Sequence, residues 1–261
     1  MRISAFFMPF FTILAGAGGF YLRSTERLSV FDHITGLPAR NAQITFLLIA
    51  LSVTFVVFLV IFAIIASTRN TPPRGFENAF GTDPLAYPII FTIIGVAWLI
   101  GTYMFYTDLG HLGAIATIDL SFIIFSALAA ISTTFFAIEM FQDSRRKAPY
   151  ALSVVPTVFV CFWLILMYRQ NASNPVLLDY VYKCLALVAS ALSFYYTSGF
   201  LYGKPAPGKA IFTYYAAIYF CIITLADDHP LSIKIIYFAL IVVNTIHSSM
   251  LLANLRRKQT D

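Results

Sequence analysis

The chain reads as an all-α bundle of transmembrane helices with about eight spans, and three observations say so. Hydrophobic residues make up 59% of its 261 residues and charged ones 11%, against about 25% charged in an ordinary soluble domain. The apolar residues are gathered into runs long enough to cross a hydrocarbon core, which takes roughly 20 helical residues. Most runs are apolar all the way round, as contact with lipid requires. Barrel strands would be about ten residues long and alternate polar with apolar, so helices are the way to pair every backbone group inside lipid.

The runs fall at 4–21, 42–66, 85–106, 116–141, 151–168, 176–201, 210–225 and 231–252. The first has one arginine ahead of it, and Ala15-Gly16-Ala17 resembles a signal cleavage site. Its apolar stretch continues to Tyr21, however, which favours a retained span. Connections 22–41 and 67–84 are the longest, and the others are short, so successive helices should be antiparallel neighbours in one membrane domain. Connection 67–84, with Pro72-Pro73 and Gly75, reads as irregular. Spans one and five both run from a proline (Pro9, Pro156) to an arginine (Arg23, Arg169), and spans four and eight break late at small polar residues. These likenesses suggest a four-plus-four duplication with halves 1–142 and 150–255.

Charge placement sets the sidedness. Eleven of the 17 lysines and arginines fall on one side of an eight-span chain: Arg2, Arg69, Arg74, Arg145, Arg146, Lys147, Lys204, Lys209, Arg256, Arg257 and Lys258. Arg23, Arg27, Arg40, Arg169 and Lys234 fall on the other, and Lys183 lies within a span. The positive-inside rule then puts both ends of the chain in the cytoplasm, with the protein in the cell membrane. The basic clusters serve as topology determinants beside anionic lipid rather than as a nucleic-acid surface. Cys161, Cys184 and Cys221 all lie in spans without a CxxC, as packing residues do.

The segment Phe31-Asp32-His33-Ile34-Thr35-Gly36-Leu37-Pro38 after the first span resembles one in a group of uncharacterised bacterial multi-spanning membrane proteins, which carry Phe-Asp-x-x-Thr-Gly there. The resemblance covers the first fifth of the chain and implies a multi-pass protein, with no activity attached.

Ionisable residues inside spans cost about 2.5–3.5 kcal/mol each at mid-membrane, so each needs a reason. In span six, Asp179, Lys183, Ala186, Ser190, Ser193 and Thr197 recur every three or four residues and share one helix face. Asp179 and Lys183 are spaced to pair within that helix. The stripe is either a close-packing face or the wall of a water-accessible cavity open to the outside. Asp119 opens span four, and Asp227, Asp228 and His229 fill the last outer loop. With Asp179 and Asp108 they gather acid on the outer side, as a vestibule for cations would. Asp119, Asp179, Asp227 and Asp228 also stand where carboxylates favour a helix N-terminus. On the inner side Glu139 and His247 form a candidate polar pair, either a proton relay or ordinary interhelical bonding.

Motifs of enzymes are lacking. There is no HExxH helix, phosphate loop or dinucleotide fingerprint. Tyr196-Thr197-Ser198-Gly199 with His247 lacks the glycine-rich surround of a membrane serine nucleophile. No catalytic residue, cofactor or metal is therefore assigned. The tyrosines collect near span ends as interfacial belts. The leading expectation is a permease-like bundle for a small solute, a cationic one if the acidic vestibule selects it. A membrane receptor or assembly subunit, using loop 22–41 and the basic edges, is the alternative, and an intramembrane enzyme comes third. The expected partners are lipid and a small solute, with no nucleic acid and no protein partner legible.

Overall fold

A computed structural model describes residues 3–31, 42–71, 73, 75–81, 86–111, 116–142, 150–173 and 176–257. Their architecture is all-α: α1 Ile3–Ser29, α2 Gln43–Arg69, α3 Phe76–Phe80, α4 Ala86–His111, α5 Thr117–Gln142, α6 Tyr150–Asn171, α7 Leu177–Leu201, α8 Pro207–Thr224 and α9 Leu231–Asn254. A two-residue antiparallel pairing joins β1, Asn70–Thr71, to β2, Arg256–Arg257. Among the described residues seven helices are long and apolar enough to cross a membrane. The exception among the eight long ones is α8. It has 18 residues, about 27 Å of helix, and it carries Lys209 and three tyrosines.

That helix is nonetheless the centre of the bundle. Fourteen of its 18 residues are buried, and it packs against α7, α9, α1 and α2. A helix enclosed by protein need not be as apolar as one facing lipid, which is why composition underrates it. By contrast α2 buries only Leu48, Ser52, Phe55, Leu59, Ala63 and Ala66. Those positions recur every three or four residues and form one stripe, while its other faces are apolar and exposed as a lipid-facing helix requires.

Six helices close a ring, in the order α4, α5, α6, α7, α8, α9 and back to α4, and α1 and α2 lie outside it against α8. The turn from α7 to α8 is tightly specified. Gly203 adopts φ +71°, and the Lys204 N–H reaches back to the Gly199 carbonyl at 2.8 Å. This is a Schellman-type stop, followed by Pro207 in the first turn of α8. At the opposite end of α8 the turn is as tight, with Asp227 N–H bonded to Thr224 O at 3.0 Å and His229 N–H to Asp227 O at 2.9 Å. It folds Asp227 back into the protein, where it is 1% exposed.

Two differences from the sequence expectation matter. Helix α1 runs two turns beyond Tyr21, carrying Arg23, Glu26 and Arg27 into regular helix. Connection 67–84, expected to be irregular, holds α3 and β1, the latter paired with β2 beyond α9. Phe76, Ala79 and Phe80 of α3 are buried, because a single turn with three apolar residues gains more from docking than from solvation.

Glycine sets the fit of α1 on α8. A Cβ at Gly16 would lie 2.8 Å from Ile222 Cδ1, and one at Gly19 2.7 Å from Ile223 Cγ1. The two glycines, one helical turn apart, let the backbones approach as small residues do in membrane bundles. Gly19→Leu is expected to force α1 away from α8 and to loosen the whole α1 contact. A fall in the thermal midpoint of the purified protein in detergent checks this, with Gly18→Leu, which faces more open space, as the mild control.

Candidate functional site

The close approach of α1 and α8 brings Arg23 against the α8–α9 turn. Its guanidinium, fully buried, donates from Nε to Asp227 Oδ1 at 2.8 Å and from Nη1 to Glu26 Oε2 at 2.7 Å. It also donates to the carbonyls of Leu178 and Asp179 in the first turn of α7, both at 3.0 Å. Tyr182 presents its ring 5.3 Å from the same guanidinium. Arg27 pairs with Asp179 Oδ1 at 2.8 Å and lies 3.6 Å from Asp227 Oδ1. Thr45 of α2 donates to the remaining Glu26 oxygen at 2.6 Å. Four elements are thus tied together at what we call the Arg23 end of the bundle.

Sequence reasoning treated Arg23 and Arg27 as loop charges and passed over Glu26. The signal was there: spacings of three and four residues put all three on one face of a helix extended past Tyr21. The expected acid excess at this end takes a different form. Asp179 bonds Arg27 across the helices, Asp227 bonds Arg23, and the exposed Asp108 accepts from Ser232 at 2.9 Å. Partly buried Lys183 adds a third positive charge close enough to act on Asp227. Three acids facing three bases leave little field for a cation. Among the described residues Asp119, in the first turn of α5, and exposed Asp228 stand outside this network.

The α8–α9 turn holds two titratable groups, Asp227 buried and His229 half-buried. Burial raises the Asp227 carboxyl above its ordinary value, against the opposing pull of Arg23, and its Oδ2 has no partner among the described residues. His229 packs on the Tyr237 ring at 5.4 Å. Burial first, then Lys183, Lys234 and Arg27, push its imidazole down to about 3. Between about pH 3 and 6.5 the unfolded chain binds a proton at this histidine that the folded chain refuses, so acidification through that window destabilises the fold. Asp227 acts oppositely: its share is present below its unfolded value and lost as pH rises through the folded one. His229→Gln is therefore expected to shrink the loss of thermal stability between about pH 7 and pH 4.5. An unchanged acid slope in that variant would contradict the assignment.

The serine stripe of α7 faces α8. Ser190 and Ser193 are fully buried, with Ser190 Oγ 3.6 Å from Cys221 Sγ and Ser193 Oγ bonded to Ser190 O at 2.8 Å. Thr197 donates to Ser193 O and meets the Tyr214 hydroxyl at 2.6 Å. Of the two arrangements open to this stripe, Ser190 and Ser193 occupy a packed seam.

The interior of the six-helix ring is divided in two. Toward the Arg23 end it is filled by aromatic rings: Trp98 of α4, Phe122 of α5, Phe159 and Trp163 of α6 and Tyr237 of α9. Successive centroids are 4.7 to 5.7 Å apart. Trp98 is fully buried and donates to Ser126 Oγ at 3.0 Å, which in turn meets Thr102 at 2.7 Å. Toward the Asn254 end lies a cavity of about 30 Å³, room for about two waters. It is lined by Phe91, Ser132, Thr133, Phe136, Leu152, Ser153, Pro156, Phe194, Thr197 and His247.

Pro156 shapes this cavity. It has no N–H to give to Leu152 O, and Ser132 of α5 bonds that carbonyl instead. The next carbonyl, Ser153 O, accepts from Ser198 of α7 at 2.8 Å. A proline inside a transmembrane helix is tolerated where neighbours satisfy the freed carbonyl in this way. His247 is buried among Phe80, Phe91 and Tyr214, with ring centroids 5.5, 5.3 and 5.9 Å away. Its Nδ1 has no partner among the described residues. Glu139, its expected companion, lies in α5 with a side chain outside the described residues. Residues 32–41 and 143–149, which hold part of the surfaces invoked for the receptor or subunit alternative, also lie outside the described residues. Among the described residues no three of His, Cys, Asp or Glu are grouped as metal ligands.

No family model matches the chain, and neither a curated protein nor a solved structure is similar to it. Fold and composition together define its class: an all-α, multi-pass membrane protein whose outer helices contact lipid.

Proposed function

We propose that the protein is a permease for a small uncharged solute, with the pathway inside the six-helix ring. The observation that carries this reading is the ring interior itself. It is an aromatic stack above a cavity with a proline-bearing helix in its wall and a buried histidine nitrogen without a partner among the described residues. Buried polar groups without partners are costly, and a membrane protein retains them where something passes or binds. The lining residues include no carboxylate, ammonium or guanidinium, so a bound ion would lack a counter-charge. On this reading the solute is neutral rather than cationic. The arginine network then serves as a fixed clasp between α1, α2, α7 and the α8–α9 turn. The charge imbalance directs the Asn254 end to the cytoplasm, with the cell membrane as the site of action.

Reconstitution into liposomes tests the proposal. Volume changes after mixing with urea, glycerol or ammonia should be faster than in protein-free liposomes for at least one solute, and potassium should not pass. His247→Phe should reduce that flux while leaving thermal stability close to the parent. Permeabilities equal to those of empty liposomes for every neutral solute would refute it.

A further inference from the structure

We infer that α3 is a plug that closes a binding site at His247, and that the ligand is a small uncharged molecule that hydrogen-bonds there. The inference deepens the permease reading and rests on it for the ligand's passage, though not for the site's existence. The single turn Phe76–Phe80 is inserted into the Asn254 end of the bundle, with the Phe80 ring 5.5 Å from His247 and 5.3 Å from Phe200. Phe76 lies 4.7 Å from Phe136, a residue of the cavity wall. These two rings therefore stand between the cavity and that end of the protein.

A helix of five residues does not persist by itself, so its position depends on what holds it. Asn254 at the end of α9 donates from Nδ2 to both Ala79 O and Gly81 O, each at 3.0 Å. The β1–β2 pairing, Asn70 with Arg257 and Thr71 with Arg256, anchors the chain ahead of it. Between that anchor and the plug, Gly75 turns the chain at φ +84° with open space around it, a conformation other residues adopt only under strain. A hinge, a wedge of two phenylalanines and the retaining side chain of Asn254 make an element whose release would leave the long helices in place.

Chemistry in the cavity selects the ligand. The hydroxyls of Ser132, Thr133 and Thr197 donate to the carbonyls of Leu152, Ala129 and Ser193. Among the described residues, His247 Nδ1 is a buried polar atom of this wall without a partner. A histidine nitrogen, hydroxyl oxygens that keep acceptor capacity and aromatic walls suit a compact neutral molecule, since an ion would be desolvated without compensation.

The test uses the full-length protein with its three cysteines replaced and a reporter, Thr133→Cys, in the cavity wall. Oriented membrane vesicles are treated with a membrane-impermeant maleimide from either side. With α3 intact the reporter should react slowly. Phe80→Ala or Asn254→Ala should speed labelling about tenfold or more from the Asn254 side alone, because the opening no longer breaks those retaining contacts. Urea or glycerol, whichever permeates, should slow labelling in the Phe80→Ala protein, and His247→Phe should abolish that protection. Unchanged rates in both α3 variants would overturn the plug, as would equal acceleration from both sides. Absence of solute protection would overturn the ligand class. Ser153→Cys is the second reporter should Thr133→Cys fold poorly. Flux without dependence on α3 would remove the plug and keep the permease, whereas α3-dependent labelling without flux would do the reverse.

Discussion

Arg23→Ala is expected to destabilise the protein by about 3–5 kcal/mol, the cost of breaking a buried ion pair and stranding its partners. The guanidinium holds Asp227, Glu26 and two α7 carbonyls, and neither it nor the two acids touch solvent. Removing it leaves two carboxyls in a low-dielectric site and unties α1 from α7 and from the α8–α9 turn. The same physics predicts a partial rescue. Arg23→Met combined with Asp227→Leu and Glu26→Gln removes the stranded charges and should regain much of the loss. Thermal unfolding in detergent, followed for the single and combined variants, decides it. A combined variant no more stable than Arg23→Ala would show that packing, rather than charge, holds this corner. Arg27→Ala should cost far less, near 0–1 kcal/mol, because its bond to Asp179 is partly exposed and screened.

Trp98→Ala is the second large effect, about 3–5 kcal/mol for emptying a fully buried aromatic position. It also removes the hydrogen bond to Ser126. Its second consequence separates it from an ordinary core deletion. Trp98 belongs to the stack that fills the ring interior toward the Arg23 end, so its loss should open the closed half of the proposed pathway. Liposomes carrying Trp98→Ala should leak small neutral solutes faster than those with the parent protein. Phe55→Ala, equally buried but outside the ring against Tyr219, should lose comparable stability without the leak. Equal leak in both would assign the effect to general loosening.

Much of the fold was legible. Long all-round apolar runs are imposed by lipid, and they put most of the long helices within a few residues of their observed places, with the ends of α1 and α4 missed by more. Misjudged ends have local causes. Arg23, Glu26 and Arg27 look like the start of a loop because charge usually marks the membrane's edge, yet here they are neutralised by one another and by Asp179 and Asp227 of neighbouring elements. Phe76-Glu77-Asn78-Ala79-Phe80 is too short to show a period, so α3 was invisible. The candidate site was legible only in pieces. Asp179, Asp227 and His247 were noticed as costly polar groups, while their neighbours Arg23, Phe80 and Phe91 carried no such flag.

The sequence by itself determined the class, an all-α multi-pass protein, because the hydrocarbon core acts on each helix separately and leaves its mark on each run. It also narrowed attention to a handful of polar residues, since every one of them is expensive in lipid. Only the tertiary structure decided which helix is central, which side chains pair and where space remains. Lipid and protein interior are nearly equally apolar, so a helix facing one reads like a helix facing the other. What separates α2 from α8, or the packed serines of α7 from the cavity at His247, is therefore contact between distant segments, and no single run of residues records it.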